Sequence, residues 1–199
     1  PKPAVFGYLA VLLLIGLQGA IGWWLDHSGL HEGMVSVSQY RLATHLVMAF
    51  LIMGILFWLW RGQVERPRTS LQFAEKRSLF APMAGITTGL VYLQVIAGAF
   101  VAGTASGKTY NTWPMMAGDF VPNGYAILSP FWRNFFENAA AIQFNHRTLA
   151  YIILFCVVLL WVTAIRQKAR VGVLLAFTVV IIWQVMLGIW TLLSIAPLH

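Results

Sequence analysis

The apolar residues of this chain come neither in alternation nor on one helical face. They fill long stretches from which charge is absent. Residues 3–25 give 23 uncharged positions between Lys2 and Asp26, and residues 42–60 give 19 between Arg41 and Arg61. Residues 78–107 give 30 more, residues 148–165 give 18, and residues 171–199 carry no charge at all. A helix needs about 20 mostly apolar residues to cross a bilayer. Only a segment that satisfies its own backbone hydrogen bonds is stable in hydrocarbon. The pattern predicts five membrane-spanning helices, near residues 4–25, 42–60, 79–103, 143–165 and 172–195. The expected fold class is all-α, a polytopic transmembrane helical bundle.

Composition agrees with this reading. The 199 residues are 59% hydrophobic and 10% charged, against roughly 45–50% and about 25% in soluble domains. A water-soluble globule is excluded. Thirteen Lys and Arg against six Asp and Glu leave a net charge of +7, which on a soluble chain would suggest a nucleic-acid partner. Five spans make the connections alternate between the two sides of the membrane, and the charges sort with them. One side holds Lys2, Arg61, Arg66, Arg68, Lys76, Arg77, Arg166, Lys168 and Arg170, with Glu65 and Glu75. The other holds Arg41, Lys108, Arg133 and Arg147 with Asp26, Glu32, Asp119 and Glu137, and is neutral overall. The positive-inside rule then places the first residues and the basic 61–78 linker in the cytoplasm, or in the matrix of an organelle. Trp23, Trp24, Trp58, Trp60 and Trp161 lie near span edges, where amphipathic rings favour the interface. The expected partner is membrane lipid, with no role for nucleic acid.

Other classes fall away for want of parts. The single cysteine, Cys156, sits in an apolar run and excludes an intrachain disulfide, a CxxC site and an iron–sulfur cluster. The first segment is too long for a signal h-region and lacks a small-residue cleavage site after it. There is no HExxH, no glycine-rich phosphate loop and no acid–base pair inside a span.

Two features stand out from the apolar background. Residues 104–142 form a long outer loop rich in turn formers and aromatics, and loops of this length are usually functional or disordered. Tyr110, Trp113, Phe120, Tyr125, Phe131, Trp132, Phe135 and Phe136 are expected to seek burial. That suggests either a cap packed on the helix ends or a lid over a site. Three spans also share a Gln-x-x-x-Gly step, Gln18 to Gly22, Gln94 to Gly98 and Gln184 to Gly188. The i,i+4 spacing puts each pair on one face, where Gly admits a neighbouring helix and Gln can hydrogen-bond across it. The contexts QGAIGWWL and QVMLGIWTL read as one helix in two repeats, or as chance likeness between apolar segments.

Of five histidines, His27 and His31 lie in the first outer loop and His199 is last in the sequence; solvated or interfacial roles suffice for them. His45 and His146 each sit near the outer end of a span. Ionisable side chains inside spans are rare and by default functional, and imidazole is a standard axial ligand of haem iron. Arg41 lies one turn before His45, and Arg147 follows His146. A guanidinium there suits a haem propionate. The plainer alternative is that each His bonds a neighbouring helix while each Arg snorkels. Gln143, one turn before His146, could hydrogen-bond near an iron but cannot act as a carboxylate base.

The stretches around these residues are QGAIGWWLDHSGL (18–30), VSQYRLATHL (37–46), GAFVAGTASGKTYNTWPMM (98–116), SPFWRNFFEN (129–138) and QFNHRTLA (143–150). In them the chain closely resembles the haem A synthase family, on the branch without extracytoplasmic disulfides. The resemblance implies eight helices in two four-helix halves, each half holding one haem between histidines on its second and fourth helices. Residues 1–60 would be the last two helices of the N-terminal half and 61–78 a cytoplasmic linker. Residues 79–199, with outer loop 104–142, would be the first three helices of the C-terminal half. The chain is thus expected to be part of a longer enzyme. His45 would bind the substrate, haem O, and His146 a haem b cofactor, so that each is a metal ligand; Arg41 and Arg147 would face propionates. The family's candidate catalytic glutamate would lie before Pro1, and Gln143 occupies the pseudo-symmetric place. The partner ligand of His146 would lie on an eighth helix, which His199 does not match.

The reaction so implied is oxidation of a haem O methyl to the formyl of haem A, by successive hydroxylations ending in loss of water. Implied with it are an electron donor, haem O synthase and cytochrome oxidase assembly factors as partners, and room for a homo-oligomer. The implied location is a bacterial inner membrane ahead of a mitochondrial one. Two rival classes are a b-type cytochrome in which His45 and His146 share a haem, and a cofactor-free assembly protein that holds a partner by its outer loop.

Overall fold

The computed structural model of the chain describes residues 2–29, 37–64, 79–168 and 171–195. His31, His199, Arg170 and most of the 61–78 linker lie outside the described residues. Five long helices carry the architecture: α1 (Lys2–Asp26), α2 (Gln39–Val64), α3 (Phe80–Gly103), α5 (Ala139–Arg166) and α6 (Gly172–Leu193). A short α4 (Asn134–Glu137) precedes α5. All five long helices are apolar and long enough to cross a membrane, and among the described residues there is no strand. The chain is an integral membrane protein.

Several hydroxyls inside these helices are satisfied locally, as hydrocarbon favours. Thr44, Thr87, Thr88 and Thr178 each donate to the carbonyl one turn back, at 2.7–2.8 Å. Pro82 falls in the first turn of α3, where its missing N–H removes no helical bond. The main departure from expectation is the start of α5, at Ala139 rather than residue 143. Asn138 caps it, accepting from the Ala140 amide at 3.0 Å, so the outer loop proper is residues 104–138.

The helices fall into two compact units, Pro1–Lys76 and Arg77–His199. In the first, α1 and α2 run antiparallel. Gln63 donates to the Tyr8 hydroxyl at one end, and Arg41 to the Trp24 carbonyl at the other. A Cβ on Gly7 would come within 2.7 Å of Leu59, so this glycine lets the helices close. Small residues do this where lipid supplies no hydrophobic drive for helix pairing.

In the second unit α3 and α5 are antiparallel, and α6 joins them at one end. Leu160 and Ala164 of α5 and Leu174 of α6 are buried there against Phe80, Met83 and Ala84 of α3. The Trp161 indole donates to Thr178 at 2.9 Å. At the other end the 104–138 loop is held by buried asparagines. The Asn134 amide donates to the Leu128 and Phe131 carbonyls while its oxygen accepts from Leu128 N and from Asn138. Asn138 also donates to the Gly124 and Tyr125 carbonyls. Gly124, at φ +91°, supplies a turn that a side chain would strain.

The loop aromatics do not all find burial. Trp113, Phe120, Phe131, Trp132, Phe135 and Phe136 remain exposed, Phe120 at 78%; Tyr110 and Tyr125 are partly buried. The buried core of the loop is polar, built on Asn134 and Asn138, with Met116. Large aromatic rings at a membrane surface are stable at headgroup level, which removes the need to bury them in protein.

Candidate functional site

Each unit builds the same small pocket from a Gln-x-x-x-Gly step and a histidine. In the first unit Gln18 and Gly22 of α1 face His45, the seventh residue of α2. Gln18 Nε2 lies 3.1 Å from His45 Nδ1 and 3.2 Å from His45 Nε2, and donates to the His45 carbonyl at 3.1 Å. In the second unit Gln94 of α3 meets His146, the eighth residue of α5. Gln94 Nε2 lies 3.2 Å from both ring nitrogens and donates to the His146 carbonyl at 3.1 Å.

These distances fix where the amide stands. An atom nearly equidistant from Nδ1 and Nε2, this close and in the ring plane, would overlap Cε1 between them or the carbons opposite. The amide nitrogen therefore sits over the face of the imidazole, an N–H···π contact. The donor bond to the backbone carbonyl identifies this end of the amide as nitrogen. The in-plane lone pair of the ring is left unengaged.

The glycine supports the ring edge. A Cβ on Gly22 would stand 3.1 Å from His45 Cε1, and one on Gly98 3.4 Å from His146 Cε1. The imidazole is thus braced on one face by Gln and along one edge by bare glycine backbone. Among the described residues neither ring has another hydrogen-bond partner.

Charged and polar neighbours differ between the two pockets. The Arg41 guanidinium donates to the Trp24 carbonyl at 2.7 Å and lies 4.6 Å from the Trp24 ring centroid. Arg147 donates to the Thr112 and Tyr110 carbonyls at 2.8 and 2.9 Å. Gln143, buried at 3% exposure, donates to the same Tyr110 carbonyl at 2.9 Å. Tyr125 reaches α5 through Asn145 and packs edge-on against Phe144. The outer loop is therefore latched onto the helix turns that carry His146. The structure brings His146, Gln143 and Arg147 together with Gln94 and Tyr110, and His45 together with Gln18; His27 stacks on Trp23.

A haem fits these residues on three counts. Each ring is oriented yet keeps nitrogen lone pairs for a metal. A lone imidazole suits a metal that brings its own equatorial ligands. Four buried polar atoms beside the histidines lack partners: Gln18 Oε1, Gln94 Oε1, Gln143 Oε1 and Arg147 Nε. Buried polar atoms are rarely left so, and each calls for a ligand, ion or water.

The sequence pattern marked Gln18 and Gln94 as helix-packing residues; their grip on the histidines is new. The available signal was that two of the Gln-x-x-x-Gly helices, α1 and α3, each precede a histidine-bearing one. Nothing in sequence pointed to the Tyr110 and Thr112 carbonyls as anchors for Arg147.

Fold and site together define a polytopic helical membrane protein whose helix pairs each present one braced, open imidazole. The chain belongs to the family of cytochrome oxidase assembly proteins, COX15-CtaA, which it matches over residues 1–199. It is 43% identical to a protein named Heme A synthase from Parvibaculum lavamentivorans, over 94% of this chain and 53% of the relative. The protein of that name from Dinoroseobacter shibae is 42% identical over 98% of this chain and 52% of its own length. The one from Brucella anthropi is 44% identical over 96% and 53%. The chain spans about half the length of the curated relatives it matches. No solved structure matches it.

Proposed function

We propose that this chain forms helices three to seven of a haem A synthase, a membrane oxidoreductase that converts a methyl of haem O to the formyl of haem A for cytochrome oxidase assembly. The paired imidazole pocket carries this reading: two histidines in two units, each braced on face and edge with its lone pair open in the ring plane. The names of the relatives supply the substrate class. His45 would hold the substrate haem O and His146 a haem b cofactor. When bound, haem b supplies one-electron redox chemistry, and the protein contributes orientation, electrostatics and exclusion of water.

The chain's residues have separable tasks. Gln18 with Gly22, and Gln94 with Gly98, orient the imidazoles. Arg147, through its free Nε–H, and Arg41, through donors not used on Trp24, would anchor propionates with charge-assisted hydrogen bonds. Gln143 offers a buried amide oxygen beside His146. The 104–138 loop, held by Arg147 and Gln143, would keep water from that pocket. Residues 1–60 and 79–199 would belong to two related halves joined by the 61–78 linker. The charge distribution favours the first residues on the cytoplasmic side and the long loop on the other, and the bacterial relatives favour a bacterial inner membrane. An electron donor, haem O synthase, oxidase assembly factors and a further copy of the protein are the proposed partners.

Haem extraction from the purified full-length protein tests the reading. Haem O and haem A together with haem b are expected. Haem b alone would identify an electron-transfer cytochrome, and no haem an assembly protein. His146→Ala in that protein is expected to deplete haem b while the substrate haem stays bound; equal loss of both would overturn the two-site assignment.

A further inference from the structure

The Gln-x-x-x-Gly step occurs three times, and among the described residues only two copies have an occupant. Gln18 and Gly22 hold His45, and Gln94 and Gly98 hold His146, each histidine lying on the next long helix in the chain. The third copy is Gln184 and Gly188 on α6, which follows α5. Among the described residues nothing outside its own stretch of helix backbone lies within 4 Å of a Cβ built on Gly188. Gln184 is exposed, and among the described residues it makes no hydrogen bond.

The surroundings differ in the same sense. On α1 the stripe that contains Gln18 also contains Val11 and Leu25, one heptad to either side, and both are buried. On α3 the corresponding Thr87 is buried one heptad before Gln94. On α6 Phe177, one heptad before Gln184, is partly buried against Leu160, Ala164 and Leu174, but beyond it the stripe Val180, Gln184, Gly188, Thr191 is exposed. Leu174, which meets α5, lies near one end of α6 only. Gln184 is the thirteenth of 22 residues in a membrane-crossing helix, where an amide without a partner is costly. A buried partner is therefore required.

We infer that Gln184 and Gly188 form a third imidazole seat, occupied in the full-length protein by a histidine on the helix that follows α6. The chain covers about half of its relatives' length, which leaves room in a protein of that length for such a helix. The amide of Gln184 would lie over the ring face and donate to the histidine's own carbonyl, and the bare backbone at Gly188 would take the Cε1 edge. The seat is defined by packing alone and does not depend on haem. Under the haem reading, the third ring would also keep its lone pair open.

Disulfide trapping in the full-length protein tests the seat without using haem. With Cys156 and any other native cysteine replaced by serine, Gly188→Cys is combined with cysteine at each histidine beyond residue 199 in turn. Two reference pairs, Gly22→Cys with His45→Cys and Gly98→Cys with His146→Cys, calibrate the reaction; a disulfide needs Cα atoms within about 7 Å. One Gly188 pair is expected to cross-link to the extent of the reference pairs. If the reference pairs link and no Gly188 pair does, the seat is overturned, while the haem reading stands. If the reference pairs do not link, the shared geometry on which the seat is built is lost, and the inference fails with it. Failure to extract haem alongside a trapped Gly188 pair would count against the haem reading alone.

Discussion

The His45 and His146 pockets share their inner parts and differ in what surrounds them. In both, a Gln amide over the ring and a glycine at Cε1 hold the imidazole, with matching distances. Around His146, Gln143 and Arg147 reach out to the Tyr110 and Thr112 carbonyls and draw the outer loop onto the pocket. Around His45 the position one turn earlier is Leu42, which has no polar group to offer, and Arg41 is engaged with Trp24 of α1. The difference teaches that two tasks are separate: a two-residue step orients the ring, and other residues decide how the site is closed. Among the described residues only the His146 pocket is latched in this way, which suits the cofactor site proposed there.

The largest expected effect comes from filling the glycine edge. Gly22→Leu and Gly98→Leu in the full-length protein would drive a side chain into the imidazole; overpacking of this kind costs about 1–3 kcal/mol. Each is expected to cut occupancy of its own pocket by about tenfold or more, with the other pocket unchanged, as read by pigment extraction. Joint loss of both pigments from either variant would break the comparison.

Arg147→Lys tests the loop latch. Lysine is a point donor and cannot reproduce the fork that reaches two carbonyls. Amide hydrogen exchange should rise in residues 108–118, with α1 and α2 unaffected, and the haem proposed at His146 should be lost faster. Arg41→Lys is expected to leave residues 108–118 unchanged, which sharpens the contrast between the pockets.

A smaller difference separates the alanine variants. Gly22→Ala would set its methyl 3.1 Å from His45 Cε1, whereas Gly98→Ala meets His146 at an easier 3.4 Å. The first is expected to lower pigment occupancy several-fold and the second by less than half. The reverse order would refute the edge-contact account.

The smallest effect on stability is expected for Gln18→Leu and Gln94→Leu. Interhelical polar contacts in membranes average about 0.6 kcal/mol, and the substitution also removes a buried amide oxygen that lacks a partner. Thermal stability should change little. The ring, no longer held on its face, should take several orientations and broaden the pigment's absorption and electron-paramagnetic signals, and Gln94→Asn should not restore them because its amide is too short. An unaltered spectrum would show that the face contact has no positioning role.

Much of the fold was legible because its signal is one-dimensional. Charge-free runs of membrane length predicted five helices, and α2, α3 and α6 begin and end within a few residues of the expected places. The start of α5 was missed because Asn138 is a cap whose partners include Gly124 and Tyr125, far away in sequence. The loop aromatics were expected to be buried, yet Phe120 and Trp132 lie open; an aromatic residue alone does not say whether protein or membrane interface will receive it. His45 and His146 stood out because imidazole is rare inside a span. The roles of Gln18 and Gln94 became visible only when α2 and α5 were laid against them.

By itself the sequence determined what a bilayer demands of any chain: the number of spans, their rough limits, the charge asymmetry and the rarity of the two intramembrane histidines. Each of these follows from transfer of residues between water and hydrocarbon, which depends on composition along the chain. Only the tertiary structure decided that the Gln-x-x-x-Gly steps are imidazole seats, that Arg147 and Gln143 latch the loop, and that Gln184 and Gly188 stand open. Those facts depend on distances between helices. They arise where directional hydrogen bonds and the space left by a missing Cβ select one neighbour from many apolar ones.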